Sequence, residues 1–429
     1  MRYAKRFLIP FVVTLLPFFC IAGQSYLIAD TLRFELKDVE RIFFEKNLQL
    51  LAQHYQVEAD KAIVQQARLW DNPLLVTDQN IYSNHKFFEH SNNPDGTYNG
   101  QYYVQIQQLI KTAGKRGKVI KIAQTNAQIS EWQFRDLMRN LKLQLRSDFY
   151  TIAQLISNQN LYDQQMVQLD KLLMGMKAQF QAGNVARKDL LRIQALQMST
   201  QKDALDNARQ LMDLQTDLKN LLLINGNVFL MPLVKEESRK PFNELQIDNL
   251  LAKAQDQNPE YHLRQLQLQY QSQNLALQKA LSIPDVILSP NFDKNSNYTP
   301  NYWGLGISFD LPFLNRNQGN IKSAKWLVKA EETNLQQAEV ELKNGVFAAY
   351  QKLYYTQKIS DQNTKDFYLN YGSLYDNIVE SYRLRQINLI EFIDYFEAYK
   401  ETMQKEIEQK LHQQLAEEEL NYQVGTDIL

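Results

Sequence analysis

Glu391 and Asp394 lie three residues apart, and on a helix that spacing sets two carboxylates on one face. Such a pair could screen cations or hold a divalent ion, or be no more than solvated helix-surface charge. The segment TAGKRGK, Thr112 to Lys118, has the glycine and lysine content of a phosphate loop without its spacing. A Walker loop requires G-x-x-x-x-G-K-S/T, and Val119 follows Gly117-Lys118 here. Gly114 and Gly117 therefore read as flexing the chain into a helix. His85 and His90 stand five apart near Glu89, two loop imidazoles short of the ligand set that a metal needs. His54, His262 and His412 occur singly. No Ser-His-Asp set, catalytic acid pair or nucleotide motif has a recognisable context, so the chain reads as no enzyme, with no cofactor.

The chain has 429 residues and a formal net charge of −1, which gives no electrostatic case for a nucleic-acid partner. Cys20 is the only cysteine, so neither a disulfide framework nor a cysteine zinc site can form. Arg2, Lys5 and Arg6 precede an apolar run from Phe7 to Ile21, and Ala22 and Gly23 follow. That is the layout of a secretory signal peptide over residues 1–23. Cleavage after Ala22 or Gly23 removes Cys20; a lipid-anchored Cys20 is the competing reading, and bulky Phe19 before it fits lipoprotein processing poorly. No later run of eighteen apolar residues exists, so entry into a membrane would have to be as a barrel.

The elements that must position these residues follow from periodicity. Residues 118–181 contain no proline and one glycine, Gly175. Apolar residues recur there at steps of three and four, through Ile120, Ala123, Ala127, Phe134, Leu137, Leu141 and Leu145, then Tyr162, Met166, Leu169, Leu173, Met176 and Phe180. Such a seam predicts a helix packed coiled-coil fashion, roughly 95 Å long at 1.5 Å per residue. A helix over 36–70 precedes it, closed by Pro73. Strands follow at 74–83 and 98–110; in the second, Tyr98, Gly100, Tyr102, Val104 and Ile106 alternate with polar residues. The QAGN turn, Gln181 to Asn184, ends the long helix, and a helix over 185–223 returns.

The order then repeats. Residues 24–226 form one unit and 243–429 a second, joined by a linker at 227–242 with Pro232 and Pro241. The second unit predicts a helix at 243–282, strands at 286–292 and 302–311, a long helix at 319–385 and a last helix at 389–422. Leu335, Ala338, Leu342, Val346, Ala349 and Leu353 carry its seam. Four strands of this length can each cross a tilted bilayer, yet four cannot close a barrel, and open edges in lipid are prohibitive. Association by cyclic symmetry follows, with three copies and twelve strands the natural candidate. Tyr82, Tyr98, Tyr102, Tyr302 and Trp303 near the strand ends would suit interfacial belts or be ordinary strand aromatics.

The element order, the duplication and the paired helix-breaking turns resemble the TolC family of outer-membrane efflux proteins, from about Leu36 to Tyr422. QAGNVARKDLL, Gln181 to Leu191, resembles the family's first inter-helix turn, and SYRLRQINLIEFID, Ser381 to Asp394, matches the second without a gap. QQLIKTAGKRGK resembles the strand-to-helix junction of members from heavy-metal and cation efflux. The resemblance implies a mainly α fold with a transmembrane β-barrel, a homotrimer with an α-helical tunnel and a shared 12-stranded outer-membrane barrel. It implies outer-membrane lipid around the barrel, and a periplasmic adaptor and an inner-membrane pump as partners. The adaptor would dock at the turn tips, Gly183, Asn184, Gln386 and Asn388. The periplasmic gate would use Asp189, Tyr382, Arg385, Glu391 and Asp394; the family's arginine position is Ile387 here, and Arg385 is the substitute. Function would then be a passive exit duct, opened by iris-like untwisting, for metal cations, drugs or other small molecules. The alternative is an exported soluble coiled-coil scaffold or adaptor without a barrel.

Overall fold

The computed structural model describes residues 30–83, 85–89, 91–92, 94, 98–235, 245–359, 362–372 and 374–428. The signal peptide expected over residues 1–23, with Cys20, and also His90 and Pro241 lie outside these residues. In chain order the elements are β1 (Asp30–Phe34), α1 (Leu36–Lys46), α2 (Leu48–Ala67), β2 (Leu74–Gln79), the two-residue strands β3 (Tyr82–Ser83), β4 (Lys86–Phe87), β5 (Ser91–Asn92) and β6 (Tyr98–Asn99), then β7 (Tyr102–Ile110), α3 (Lys115–Gln181) and α4 (Arg187–Leu222). There follow β8 (Val228–Pro232), α5 (Ile247–Gln257), α6 (Pro259–Leu281), β9 (Val286–Asn295), β10 (Pro300–Ser308), α7 (Gln318–Ile359), α8 (Gln362–Gly372), α9 (Leu374–Arg383) and α10 (Leu389–Val424). Among the described residues no helix is long and apolar enough to cross a membrane.

Helix α3 has 67 residues, which makes it about 100 Å long. Its seam is buried at Ala123, Ala127, Leu141, Leu145, Leu169, Leu173 and Met176, against α2, α4, α6 and α10. In α7, Ala338, Leu342, Val346, Ala349 and Leu353 are buried, facing α6 and α10. The long helix expected at 319–385 is found over its described residues as α7, α8 and α9, ending at Arg383, with Leu384 and Arg385 already in the turn; residues 360, 361 and 373 are outside the described residues.

The helices expected at 36–70 and 243–282 are each two helices, broken at equivalent asparagines. Asn47 is extended (φ −64°, ψ 115°); its Oδ1 accepts the Leu50 N–H at 3.0 Å and its Nδ2 donates to the Leu221 carbonyl at 3.1 Å. Asn258 is extended likewise (φ −71°, ψ 117°), accepting from the Tyr261 N–H at 3.2 Å and donating to the Gln423 carbonyl at 2.9 Å. Both side chains therefore start one helix and hold the last turn of another, α4 in the first half and α10 in the second. A short amide side chain competes with the helix backbone for hydrogen bonds, which is why the break falls on asparagine. Pro259, lacking an N–H, suits the first position of α6.

The expected linker at 227–242 contains a strand. β8 pairs in parallel with β1, from Asp30 opposite Val228 to Phe34 opposite Pro232. Leu230 is fully buried, and the Gln215 side chain clamps its backbone: the Leu230 N–H donates to Gln215 Oε1 at 2.8 Å, and Gln215 Nε2 donates to the Leu230 carbonyl at 2.6 Å. Pairing with residues far away in the sequence makes VFLMP a strand; residues 236–244 are not described. Nearby, buried Arg146 of α3 meets Glu40 of α1 at 2.6 Å, Glu418 of α10, and Asp427 at 3.2 Å. Gly425, left-handed at φ +87°, turns the chain back so that Asp427 reaches Arg146; a Cβ there would lie 2.7 Å from the Gln257 carbonyl oxygen.

The larger strands form one antiparallel sheet of order β10-β9-β7-β2. Some boundaries differ from expectation: the strand expected at 98–110 is split by Gly100 (φ +110°), that expected at 302–311 ends at Ser308, and that expected at 286–292 runs on to Asn295. Register places Trp303 opposite Phe292, Phe292 opposite Val104 and Val104 opposite Thr77; Leu305 faces Pro290, and Leu75 faces Ile106. Directly opposed residues share a sheet face. The alternate face carries Gly304, Asn291 and Gln105 in one row, and Tyr302, Asp293, Tyr103 and Asp78 in another. The apolar face is bare: Trp303, Leu305, Ile307 and Leu75 are all more than half exposed.

Two consequences are measurable. Replacing Asn47 or Asn258 by Ala removes a cap and leaves a helix-end carbonyl without its donor, so each should destabilise the fold by about 2 kcal/mol in thermal unfolding. In the α3–α4 interface, burial and then the neighbouring Asp217 push the Asp148 carboxyl up to about 6. The folded chain therefore keeps this proton where the unfolded chain has lost it, and stability falls as pH rises from about 4 to 6. Asp148→Asn should raise stability at pH about 7.5 by on the order of 1–3 kcal/mol, with the gain vanishing below pH about 4.

Candidate gate at the helix turns

The two inter-helix turns share one backbone design. At the end of α3, the Asn184 N–H donates to the Gln179 carbonyl at 2.9 Å and the Gly183 N–H to Phe180 at 3.0 Å. After α9, the Gln386 N–H donates to the Ser381 carbonyl at 2.9 Å and the Arg385 N–H to Tyr382 at 3.0 Å. Both are Schellman turns, which need a left-handed residue just past the helix end. Gly183 supplies it at φ +77°, and Arg385 supplies it at φ +58°. Glycine does this freely, whereas a residue with a Cβ pays about 1 kcal/mol or more.

Three residues after each left-handed position a new helix begins, capped at Ala186 and at Asn388. Asp189 and Glu391 each stand third in the new helix. Glu391 is engaged in a capping box: its carboxylate accepts the Asn388 N–H at 2.8 Å, while Asn388 Oδ1 accepts the Ile390 and Glu391 N–H groups at 2.9 and 3.1 Å. Ala186 has no side-chain acceptor, so α4 starts without that cap. Asp394, one turn further along α10, is exposed.

Tyr382 is half-buried over Phe392, with ring centroids 4.9 Å apart, and its hydroxyl donates to Met176 Sδ at 3.9 Å. Burial, with the negative charge of Asp189 second, pushes the Tyr382 hydroxyl above its usual pKa. Asp189 and Tyr382 are thus brought together across the two turns. Arg385 points into solvent, and among the described residues neither it nor Asp189 forms an ion pair within the chain. Ile387 instead packs into an apolar cluster with Val185, Leu190, Leu389 and Ile393. Val185 and Ile387 are equivalent, each two residues past its left-handed position.

Sequence reasoning passed over the aromatic column behind the turns. Phe392, Phe396 and Tyr399 of α10 are buried; Tyr375 and Tyr399 stack with centroids 4.5 Å apart. Their steps of four and three along α10 were the available signal. At the other end of α3, Gly114 is left-handed (φ +65°), whereas Gly117 is already helical and does not act as a second hinge. Buried Lys115 donates to the Ile283 carbonyl at 2.6 Å and pairs with Asp285 at 2.7 Å, joining the two halves under the sheet. Of the histidines by the first hairpin, His85 meets the Tyr82 hydroxyl through Nδ1 at 3.4 Å, and Glu89 pairs with Lys86. Among the described residues no group of three or more His, Cys, Asp or Glu could hold a metal.

The strain at Arg385 gives a direct test. Arg385→Gly should stabilise the chain by on the order of 1 kcal/mol, and Gly183→Ala should destabilise it by a similar amount, both read by thermal unfolding followed by circular dichroism.

Residues 43–222 match the family described as outer membrane efflux protein. No curated protein matches the sequence. Solved structures match nearly end to end. The CusC structure, 15% identical, has a TM-score of 0.72 over 93% of this chain and 94% of that one. The CmeC outer membrane channel of Campylobacter jejuni, 14% identical, has a TM-score of 0.74 over 91% and 85%. The outer membrane protein VceC of Vibrio cholerae, 13% identical, has a TM-score of 0.71 over 92% and 97%. These identities speak for a shared fold, and the family match disfavours the barrel-free scaffold. Residues 43–222 thus carry the match to the outer membrane efflux protein family, and the fold shared with these channel structures continues through the second half of the chain.

Proposed function

We propose that the chain is the outer-membrane exit duct of a tripartite efflux system, a passive conduit through which an inner-membrane pump expels its substrate. The observation that carries this reading is the four-stranded sheet, apolar and exposed on one face, polar on the other, joined to helices about 100 Å long. Among the described residues β2 and β10 each lack a strand partner on one side, an arrangement that lipid does not tolerate. Three copies would close twelve strands with the apolar face to lipid and the polar face to water. The helices would then form the periplasmic tunnel wall. That CmeC is an outer membrane channel, and that CusC is described in terms of transmembrane channel formation, supports the same reading.

In the trimer the helix turns lie at the end of the tunnel far from the sheet. Gly183, Asn184, Gln386 and Asn388 are the tips offered to a periplasmic adaptor. Asp189, Tyr382 and Arg385 are the gate, with Arg385 free to reach a neighbouring copy. Glu391 and Asp394 would put six carboxylates around the opening, and a ring of this sign favours cations. Glu391 also accepts the Asn388 N–H, and both carboxylates remain exposed. The substrate is set by the pump that feeds the duct.

Recovery of a crosslinkable trimer from the outer-membrane fraction is expected; a monomer in the periplasmic fraction would overturn the duct. In planar bilayers the wild-type channel should conduct poorly, and Asp189→Ala or Arg385→Ala should raise that conductance severalfold. Unchanged conductance in both variants would sink the gate.

A further inference from the structure

The net charge of −1 conceals a strong local imbalance. The inner ends of the four sheet strands meet at the starts of β2 and β9 and the ends of β7 and β10. The segments entering and leaving that end are residues 68–73, 109–125, 276–286 and 309–325. Together they carry ten Lys and Arg against three Asp. Asp71 is taken by Lys111 at 2.9 Å and Asp285 by buried Lys115 at 2.7 Å. Six of the remaining cations, Arg68, Lys121, Lys279, Arg316, Lys322 and Lys325, are exposed, and among the described residues none has a carboxylate partner. At the outer end of the sheet the described charges run the other way, with Asp78, Glu89 and Asp293 against Lys86 and Lys294.

Apolar side chains are interleaved with these cations. Trp70 is 66% exposed, Phe313 71% and Leu314 93%, and the Arg116 guanidinium lies 4.4 Å over the Trp70 ring. The apolar strip continues that of the sheet face, through Leu305, Ile307, Phe309 and Leu311. Lys121 and Lys325 are each within about 10 Å of the start of their helices, at 1.5 Å per residue. A lipid head-group layer extends about 5–7 Å beyond the hydrocarbon, and a lysine stem can bend back several ångströms to reach it. Aromatic and cationic side chains at one level beside an apolar band are what a leaflet edge selects.

We propose that these cations form a collar that binds the phosphate head groups of anionic glycerophospholipids in the adjoining leaflet of the membrane. The inference rests on the reading of the sheet as membrane-embedded. Charge complementarity and continuity with the bare apolar face select lipid as the occupant. The collar would fix the depth of the sheet in the bilayer and orient it, since only one end is basic. Each Lys or Arg near an anionic surface strengthens binding about fivefold, so loss of several is measurable.

The test uses the full chain reconstituted in phosphatidylcholine vesicles containing a minor share of phosphatidylglycerol. The protein is re-extracted in mild detergent, its retained lipid is quantified, and conductance is recorded in planar bilayers of the same composition. Wild type should retain phosphatidylglycerol about tenfold above its share of the vesicle. The combined variant Lys121→Gln, Arg316→Gln, Lys322→Gln, Lys325→Gln should lose most of that enrichment while still forming channels. The counterpart Lys121→Arg, Lys322→Arg, Lys325→Arg should keep it, which separates charge from folding. Channels in the wild type without phosphatidylglycerol enrichment, or enrichment unchanged in the Gln variant, would overturn the collar alone. Failure of the wild type to enter the bilayer would overturn the membrane reading, and the collar with it.

Discussion

An apolar sheet face that the chain itself does not cover is the constraint from which the rest follows. Trp303, Leu305, Ile307 and Leu75 lie bare on one side of the sheet, and strands β2 and β10 bound it with open edges. Water tolerates neither a large apolar patch nor unpaired strand edges well, and lipid tolerates the first but not the second. Copies of the chain around an axis meet both demands. Once that is granted, the helices have only to extend the same tube. The strand-to-helix junction then becomes a mechanical joint, and the Lys115–Asp285 pair ties the start of α3 to the start of β9 there.

Length matching explains the breaks in the shorter helices. A single long helix such as α3 must be flanked by two helices laid end to end, and the chain has to cross between layers near the middle. Asn47 and Asn258 make that crossing possible without leaving helix ends unsatisfied, because each amide serves one helix start and one helix finish. Arg146 adds an ionic tie close by, joining α1, α3, α10 and the segment after α10. Buried ionic ties of this kind specify which elements meet more dependably than they add net stability.

The two turns have the same hydrogen-bond frame and different chemistry. Gly183 adopts its left-handed conformation without cost, whereas Arg385 does so against the preference of its Cβ, and the residue two positions on is apolar in both cases. Strain held at this turn is compatible with the gate proposed for it. Val185 and Ile387 both pack against the apolar cluster behind the turns. Glu391, conspicuous in the sequence as one of a pair of acids, also caps the start of α10, and both it and Asp394 are exposed.

The helical seams, the sheet's alternation and the turn positions were legible because each depends on near neighbours: Leu141 and Leu145, Trp303 and Leu305, Gly183. Periodicity of 3.6 or 2 is written locally, and a glycine past a helix end has one common use. The strand β8 was not legible, since VFLMP becomes a strand by pairing with residues nearly two hundred positions earlier and by the Gln215 clamp. Nor were the breaks at Asn47 and Asn258 as a pair, because their reason is a carbonyl at the far end of another helix. The basic residues around TAGKRGK looked like a failed phosphate loop, and only the sheet register gathered them with Arg68, Arg316 and Lys325 at one edge. The sequence by itself determined which segments are helix and strand and which faces are apolar, through local sterics and hydrophobic spacing. The tertiary structure decided which distant polar groups satisfy one another and which charges share a surface, because those depend on distances that no local pattern encodes.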